Sequence, residues 1–260
     1  CRCVVIGGGL LGLENAAGLA KRGAEVTVLE GMPWLLPRQL DEPAARLLER
    51  HAAGLGIHVR TAACVEELVG DETVRGVRLK GSETLPADIV LVSTGVAANC
   101  HLARQAGLAT RRGIVVDDEL RASDERTFAA GDVAEHQETL YGLWFPAQSQ
   151  GRIAGANAAG ATESFAAIPA STTLKVLGLP VFSAGVIGNK ETDQMIATES
   201  EGRYLRFLLR EGRLVGAILA GNTKGVPAVK AAVEKHVDLA SVAARNPTAQ
   251  EILEHLLAKH

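Results

Sequence analysis

The chain has 260 residues, of which 47% are hydrophobic and 22% charged, and a formal net charge of −3. That length is room for about two domains, and the charge balance excludes a polybasic surface, so neither nucleic acid nor a membrane is expected as a partner. No apolar run reaches the roughly 18–20 residues of a membrane span, no signal peptide precedes the first strand, and Cys1, Cys3, Cys64 and Cys100 form no C-x-x-C; structural zinc and a thioredoxin-type pair are therefore not expected, and the reading is cytoplasmic with reduced thiols.

Residues 2–6 are a short β-branched run, and Gly7-Gly8-Gly9-Leu10-Leu11-Gly12 follows at once. A small-residue helical stretch runs to Arg22 and stops at Gly23, and a second apolar run, 26–29, ends on Glu30. Strand, glycine turn, helix, strand and acid in this order are the full context of a dinucleotide-binding fingerprint. Gly7 lets the chain turn sharply, Gly9 lets the backbone approach a pyrophosphate, and Gly12 lets the helix lie close to the sheet. The helix start at Leu10 and Leu11 offers amides and a positive dipole end to the phosphates. Glu30 lies eighteen positions beyond Gly12, where an acid holds a ribose hydroxyl. A carboxylate there accepts from a 2′-OH and repels a 2′-phosphate, so NADH is expected over NADPH.

Residues 31–38, broken by Pro33 and Pro37, read as a loop crossing the surface. Asp41 is a helix N-cap with Pro43 in the first turn, and Ala44, Leu47, Leu48, Ala52 and Leu55 recur at helical spacing. After a strand at 57–59, three short runs at 65–69, 74–79 and 82–85 predict an antiparallel meander in place of a crossover helix. The apolar run 88–92 suits a buried parallel strand and ends in Ser93-Thr94-Gly95, at a carboxyl end where α/β proteins place ligands.

Asn99 caps a short helix to Ala106, 114–116 is a strand, and 127–130 is a buried run closed by Gly131-Asp132. A loop with Trp144 and Pro146 leads into a helix of small residues at 148–160. Past a change of composition at 164–170, strands are expected at 173–177 and 181–186, then a hairpin of 204–209 with 214–219 and an amphipathic segment at 227–237. Thr248-Ala249-Gln250-Glu251 is a capping box before the apolar stripe Ile252, Leu253, Leu256 and Leu257. The histidines do not cluster, so no metal is expected: His136 reads as a surface loop residue, and His255 and His260 belong to the terminal helix.

Four motifs taken in order carry a resemblance. They are Val5-Ile6-Gly7-Gly8-Gly9-Leu10-Leu11-Gly12-Leu13-Glu14, Ser93-Thr94-Gly95-Val96, Ala129-Ala130-Gly131-Asp132-Val133-Ala134-Glu135, and Pro146-Ala147-Gln148-Ser149-Gln150-Gly151-Arg152. Together they resemble the FAD-dependent pyridine nucleotide-disulfide oxidoreductases. The likeness is closest to the branch without a redox disulfide: rubredoxin and ferredoxin reductases and the NADH-binding part of nitrite reductase. The resemblance implies an α/β fold, a Rossmann-like three-layer FAD/NAD(P)-binding domain plus a small C-terminal α+β domain. The NAD(P)-binding domain would occupy 1–97, the C-terminal part of the FAD-binding domain 98–165, and the small domain with its terminal helix 166–260.

By the same resemblance FAD joins NAD as cofactor. Gly131 and Asp132 match the turn whose acid holds the ribityl chain, and Ala147 and Gln148 begin a helix whose amides face the flavin pyrimidine. Thr94 and Gly95 match a segment touching the nicotinamide half of NAD. Glu14 matches a catalytic-site glutamate that pairs with a lysine at the nicotinamide. Gly131-Asp132 is also an ordinary turn sequence, and Glu14 also suits a solvated helix face. The implied reaction passes hydride from NADH to flavin and electrons onward to an acceptor protein or domain of the rubredoxin, ferredoxin or nitrite reductase type; a homodimer is left open. The family's first FAD glycine fingerprint has no counterpart here, Ala122 and Ala98 replace a usual threonine and proline, and a fingerprint strand at the first residue reads as part of something longer. Two other readings stand beside this one: a non-catalytic NAD-binding module or redox sensor, and a nicotinamide-only dehydrogenase.

Overall fold

β1 (Arg2–Ile6), α1 (Leu10–Ala20), β2 (Glu25–Leu29), α2 (Glu42–Gly54) and β3 (Ile57–Arg60) open the chain in a computed structural model that describes residues 1–167, 171–188, 190–200 and 202–259. The meander follows as β4 (Val65–Gly70), β5 (Val74–Leu79) and β6 (Thr84–Pro86), and β7 (Ile89–Val92) returns to the first sheet. That sheet is parallel throughout, in the order β3-β2-β1-β7. Strand order therefore reverses at β1: the chain adds β2 and β3 on one side of it and then crosses back to add β7 on the other. The crevice at the carboxyl ends of β1 and β7 is where such sheets bind ligands.

The alternation within β1 explains the layers. Cys3 and Val5 face α1 and α2 and join Leu13, Ala16, Val26, Val28, Leu47 and Leu48 in one core. Val4 faces the other way and packs with Leu29, Val77, Leu79 and Ala87 under the meander. Arg2 ties β1 to the entrance of β7: its backbone N–H and guanidinium both donate to Asp88, at 2.8 and 2.7 Å. Those bonds hold the Asp88 carboxyl at about 2, below its ordinary value.

The segment after Glu30 is a loop, as expected, with Gly31, Met32, Pro33 and Arg38 exposed, but it does not lie wholly on the surface. Leu35, Leu36 and Leu40 are at most 2% exposed and belong to the same core as β1 and the two helices. The prolines break regular structure but leave three leucines free to turn inward, and Trp34 Nε1 donates to the Leu40 carbonyl at 3.1 Å.

Residues 96–167 contain α3 (His101–Gln105), β8 (Ile114–Val116), β9 (Ala134–His136) and α4 (Trp144–Ala158), with β8 and β9 paired in parallel. Asn99 lies one residue before the N-cap Cys100 and its Oδ1 accepts from His101 N–H at 3.3 Å. Two expectations are corrected here. α4 starts at Trp144, because Pro146 is tolerated in a first turn, where its missing N–H would have no helical partner. His136 is fully buried on β9, with Nε2 2.8 Å from Asp118 Oδ1 and its ring edge-on to Phe165.

The remainder is an antiparallel sheet of β10 (Ser171–Val176), β11 (Leu179–Gly185), β12 (Gln194–Ser200), β13 (Arg203–Arg210) and β14 (Arg213–Ala220), in the order β10-β11-β14-β13-β12, followed by α5 (Val226–Glu234), α6 (Ala240–Ala243) and α7 (Ala249–Ala258). β12 escaped the sequence reading because it is a mostly polar edge strand on which Ile196 alone is buried. The capping box at Thr248 and Glu251 forms, and Ile252, Leu253 and Leu256 pack α7 on this sheet. His260 and residues 168–170 of the composition boundary lie outside the described residues.

Contacts group the chain into two units: Cys1–Gly95 with Ser171–His260, and Val96–Ala170. In the first unit the antiparallel sheet lays Val176, Val181, Tyr204, Ile218 and Ala220 into the core of α1 and α2. Its other face packs Phe182, Phe207 and Leu219 on α5 and α7. Among the described residues no helix is long and apolar enough to cross a membrane.

Candidate nucleotide-binding site

Each glycine of the turn meets a different demand. Gly7 has φ +112°, and a Cβ there would fall 2.2 Å from the Ser93 carbonyl oxygen, so only glycine lets the loop after β7 close on the turn. A Cβ on Gly12 would lie 1.9 Å from the Gly7 carbonyl oxygen, which is the close helix–sheet approach expected of it. Gly9 differs. It is the N-cap of α1 at φ −77°, and a Cβ there would meet nothing within 4 Å. No side chain caps α1, so the first-turn amides, those of Leu10 and Leu11 among them, open onto that space. The site is thus a cradle shaped by the lack of a side chain, with a positive dipole end behind it.

Glu30 turns back onto the cradle. Its Oε2 accepts from Gly8 N–H and its Oε1 from Met32 N–H, both at 2.8 Å. Each oxygen keeps a further lone pair for a hydroxyl donor. Gly8, which the fingerprint leaves unspecified, proves constrained: a Cβ there would sit 2.5 Å from Leu35 Cδ2 and 3.0 Å from Glu30 Oε2. Leu36 N–H also donates to the Gly8 carbonyl at 3.3 Å. The buried leucines after β2 therefore support the turn from beneath, a role that pairwise spacing could not reveal. Thr94 and Gly95 are exposed, following Ser93, whose N–H donates to the Ile6 carbonyl at 2.7 Å. Glu14 is exposed on α1 and borders a groove of about 380 Å³ with Ala17, Gly18, Lys21, Lys175 and Leu177.

The second cluster lies in the other unit. Gly131 adopts φ +79°, its N–H donates to Gln150 Oε1 at 2.9 Å, and Ala147 stands beside it. Asp132 is exposed in this turn and makes no hydrogen bond or ion pair among the described residues. Gln150 is fully buried, and its Nε2 has no partner among the described residues. Gln148, at the helix start named from the sequence, is exposed, whereas Gln150 is not singled out by the sequence. The early start of α4 also changes the amides on offer. Ala147 N–H is bonded to the Leu143 carbonyl at 3.1 Å, so the unpaired amides are those of Trp144 and Phe145.

Comparison with known proteins identifies the family. Residues 1–159 match the family described as pyridine nucleotide-disulphide oxidoreductase, and residues 169–237 match the rubredoxin NAD+ reductase C-terminal domain. The chain is 34% identical over 256 residues to nitrite reductase [NAD(P)H] of Bacillus subtilis, an alignment covering 96% of this chain and 32% of that protein. It is 29% identical to NADH-rubredoxin oxidoreductase of Clostridium acetobutylicum, over 90% of this chain and 58% of the relative. A crystal structure of an FAD-dependent pyridine nucleotide-disulphide oxidoreductase from Desulfovibrio vulgaris superposes with a TM-score of 0.82 at 26% identity, covering 97% of this chain and 71% of that one. The chain thus spans about a third of the length of the nitrite reductase it matches. With the glycine cradle, the acid at its rim and a matching pattern over more than half its length, this chain belongs to the pyridine nucleotide-disulphide oxidoreductase family.

Proposed function

We propose that this chain is the NADH-binding part of a flavin-dependent oxidoreductase that delivers electrons to a rubredoxin, ferredoxin or nitrite reductase type of acceptor. The observation that carries the reading is the empty cradle before Gly9 with the Glu30 carboxylate fixed at its edge. A diphosphate fits the first, and a ribose diol the second. Gly131, Asp132 and Gln150 would hold part of FAD: an exposed unpaired carboxylate suits a polyol, and the orphaned Gln150 amide suits an acceptor oxygen. When bound, NADH supplies a hydride and FAD accepts it and releases electrons singly. The protein's own part is to bind and orient, which is why no nucleophile or acid–base triad is needed. The names of the relatives above, a nitrite reductase and an NADH-rubredoxin oxidoreductase, support an acceptor of the nitrite reductase or rubredoxin kind.

The full-length protein, purified with and without added FAD, should show flavin absorbance and reduce ferricyanide with NADH. Asp132→Ala should weaken FAD retention about tenfold or more, the effect of one lost hydrogen bond to a charged group. Retention at the wild-type level would remove Asp132 from the flavin site. No flavin uptake and no turnover would leave an NAD-binding module in place of an enzyme.

A further inference from the structure

Cys1 and Cys3 form no C-x-x-C, yet the structure brings their Sγ atoms to 3.8 Å. Cys1 is exposed, just before β1; Cys3 is 2% exposed within the core behind it. The pair sits at the amino end of β1, about 16 Å of strand from the glycine turn at its carboxyl end. It is therefore separate from the nucleotide site.

We propose that Cys1 and Cys3 form a reversible dithiol–disulfide site, with Cys1 as the attacking thiol and Cys3 as the resolving one, responsive to small disulfides of the glutathione class. Exposure decides the order, since an oxidant reaches Cys1 and not Cys3. Cys1 thiolate attacks the small disulfide, forming a mixed disulfide and releasing one small thiolate. Cys3 thiolate then attacks the Cys1 sulfur, forming the intrachain bond and releasing the second small thiolate. The two protons lost by the cysteines end on the two released thiols, so the small disulfide is reduced as the pair is oxidised. The sulfurs must close from 3.8 Å to about 2.05 Å. One side of this movement is easy, because Cys1 lies outside the strand, held through its carbonyl by Glu25 N–H at 2.9 Å. The other is not: Cys3 is packed in the core and in register with Val26 and Ile89. A bond spanning one residue also gains little from restricting the unfolded chain. Both facts place the disulfide in the readily reduced, labile class.

The test treats the protein carrying Cys64→Ser, which removes the other exposed thiol, with oxidised glutathione and reads intact mass before and after dithiothreitol. The expected result is loss of two hydrogens, restored by dithiothreitol, with a peptide map joining Cys1 to Cys3. Adding Cys3→Ser should trap a glutathione adduct on Cys1; adding Cys1→Ser, an exposed change with no folding cost, should abolish both reactions. A stable glutathione adduct on Cys1 while Cys3 is intact, or two thiols that stay alkylatable throughout, would overturn the proposal.

Discussion

Asp41→Ala should cost the first unit about 3–5 kcal/mol in chemical denaturation, the range for removing one partner of a buried ion pair. Losing a helix cap alone costs about 1 kcal/mol. Asp41 does more than cap. Its Oδ1 accepts from Ala44 N–H at 3.2 Å at the start of α2, while Oδ2 accepts from the Tyr204 hydroxyl at 2.7 Å and lies 3.3 Å from Arg206 Nε. Arg206 is 1% exposed, and among the described residues its Nε and Nη1 make no aligned hydrogen bond and Asp41 is the carboxylate that compensates its charge. Burial, and then the same carboxylate, push the Tyr204 phenol above its ordinary value and keep it a donor. The cause can be isolated. Arg206→Met added to Asp41→Ala should recover most of the loss, because removing a buried pair together is close to neutral. A double variant as unstable as the single one would show that the charge is not the reason.

Glu30→Ala should weaken NADH binding by about ten- to a hundredfold, the equivalent of roughly 1.5–3 kcal/mol for hydrogen bonds to a charged group. NADPH should lose little, since the carboxylate repels its 2′-phosphate in the wild type. The ratio of the two affinities is the informative quantity. Glu30 also satisfies Gly8 and Met32 N–H, so the variant loosens the turn for both nucleotides alike. A general loosening lowers both affinities together; loss of the ribose contact changes their ratio. An unchanged ratio, measured by titration with each nucleotide, would remove Glu30 from cofactor selection.

The parts legible in the sequence are those where backbone geometry dictates residue type. Gly7 needs positive φ and Gly12 needs closeness to the Gly7 carbonyl, so both announce themselves at fixed offsets. The meander was legible from turn residues, and α7 from its capping box. What escaped depends on partners far along the chain. Asp41 reads as a cap, but its ties to Tyr204 and Arg206 span more than 160 residues. Leu35, Leu36 and Leu40 were hidden by the prolines around them, and Gly8 by a motif that allows any residue there. The cluster proposed for the flavin was half visible. Gly131 and Asp132 stood out as a turn, whereas Gln150 became distinguishable from Gln148 only once α4 fixed which one faced inward.

The most direct measurement is NADH affinity in Gly9→Ala beside the wild type, with thermal midpoints recorded on both. The added methyl would meet no protein atom within 4 Å, at a φ that any residue adopts, so folding should be nearly unchanged. It would occupy the space assigned to the diphosphate, and NADH affinity should fall at least tenfold, about 1.4 kcal/mol. NADH bound as tightly by Gly9→Ala as by the wild type would contradict the account.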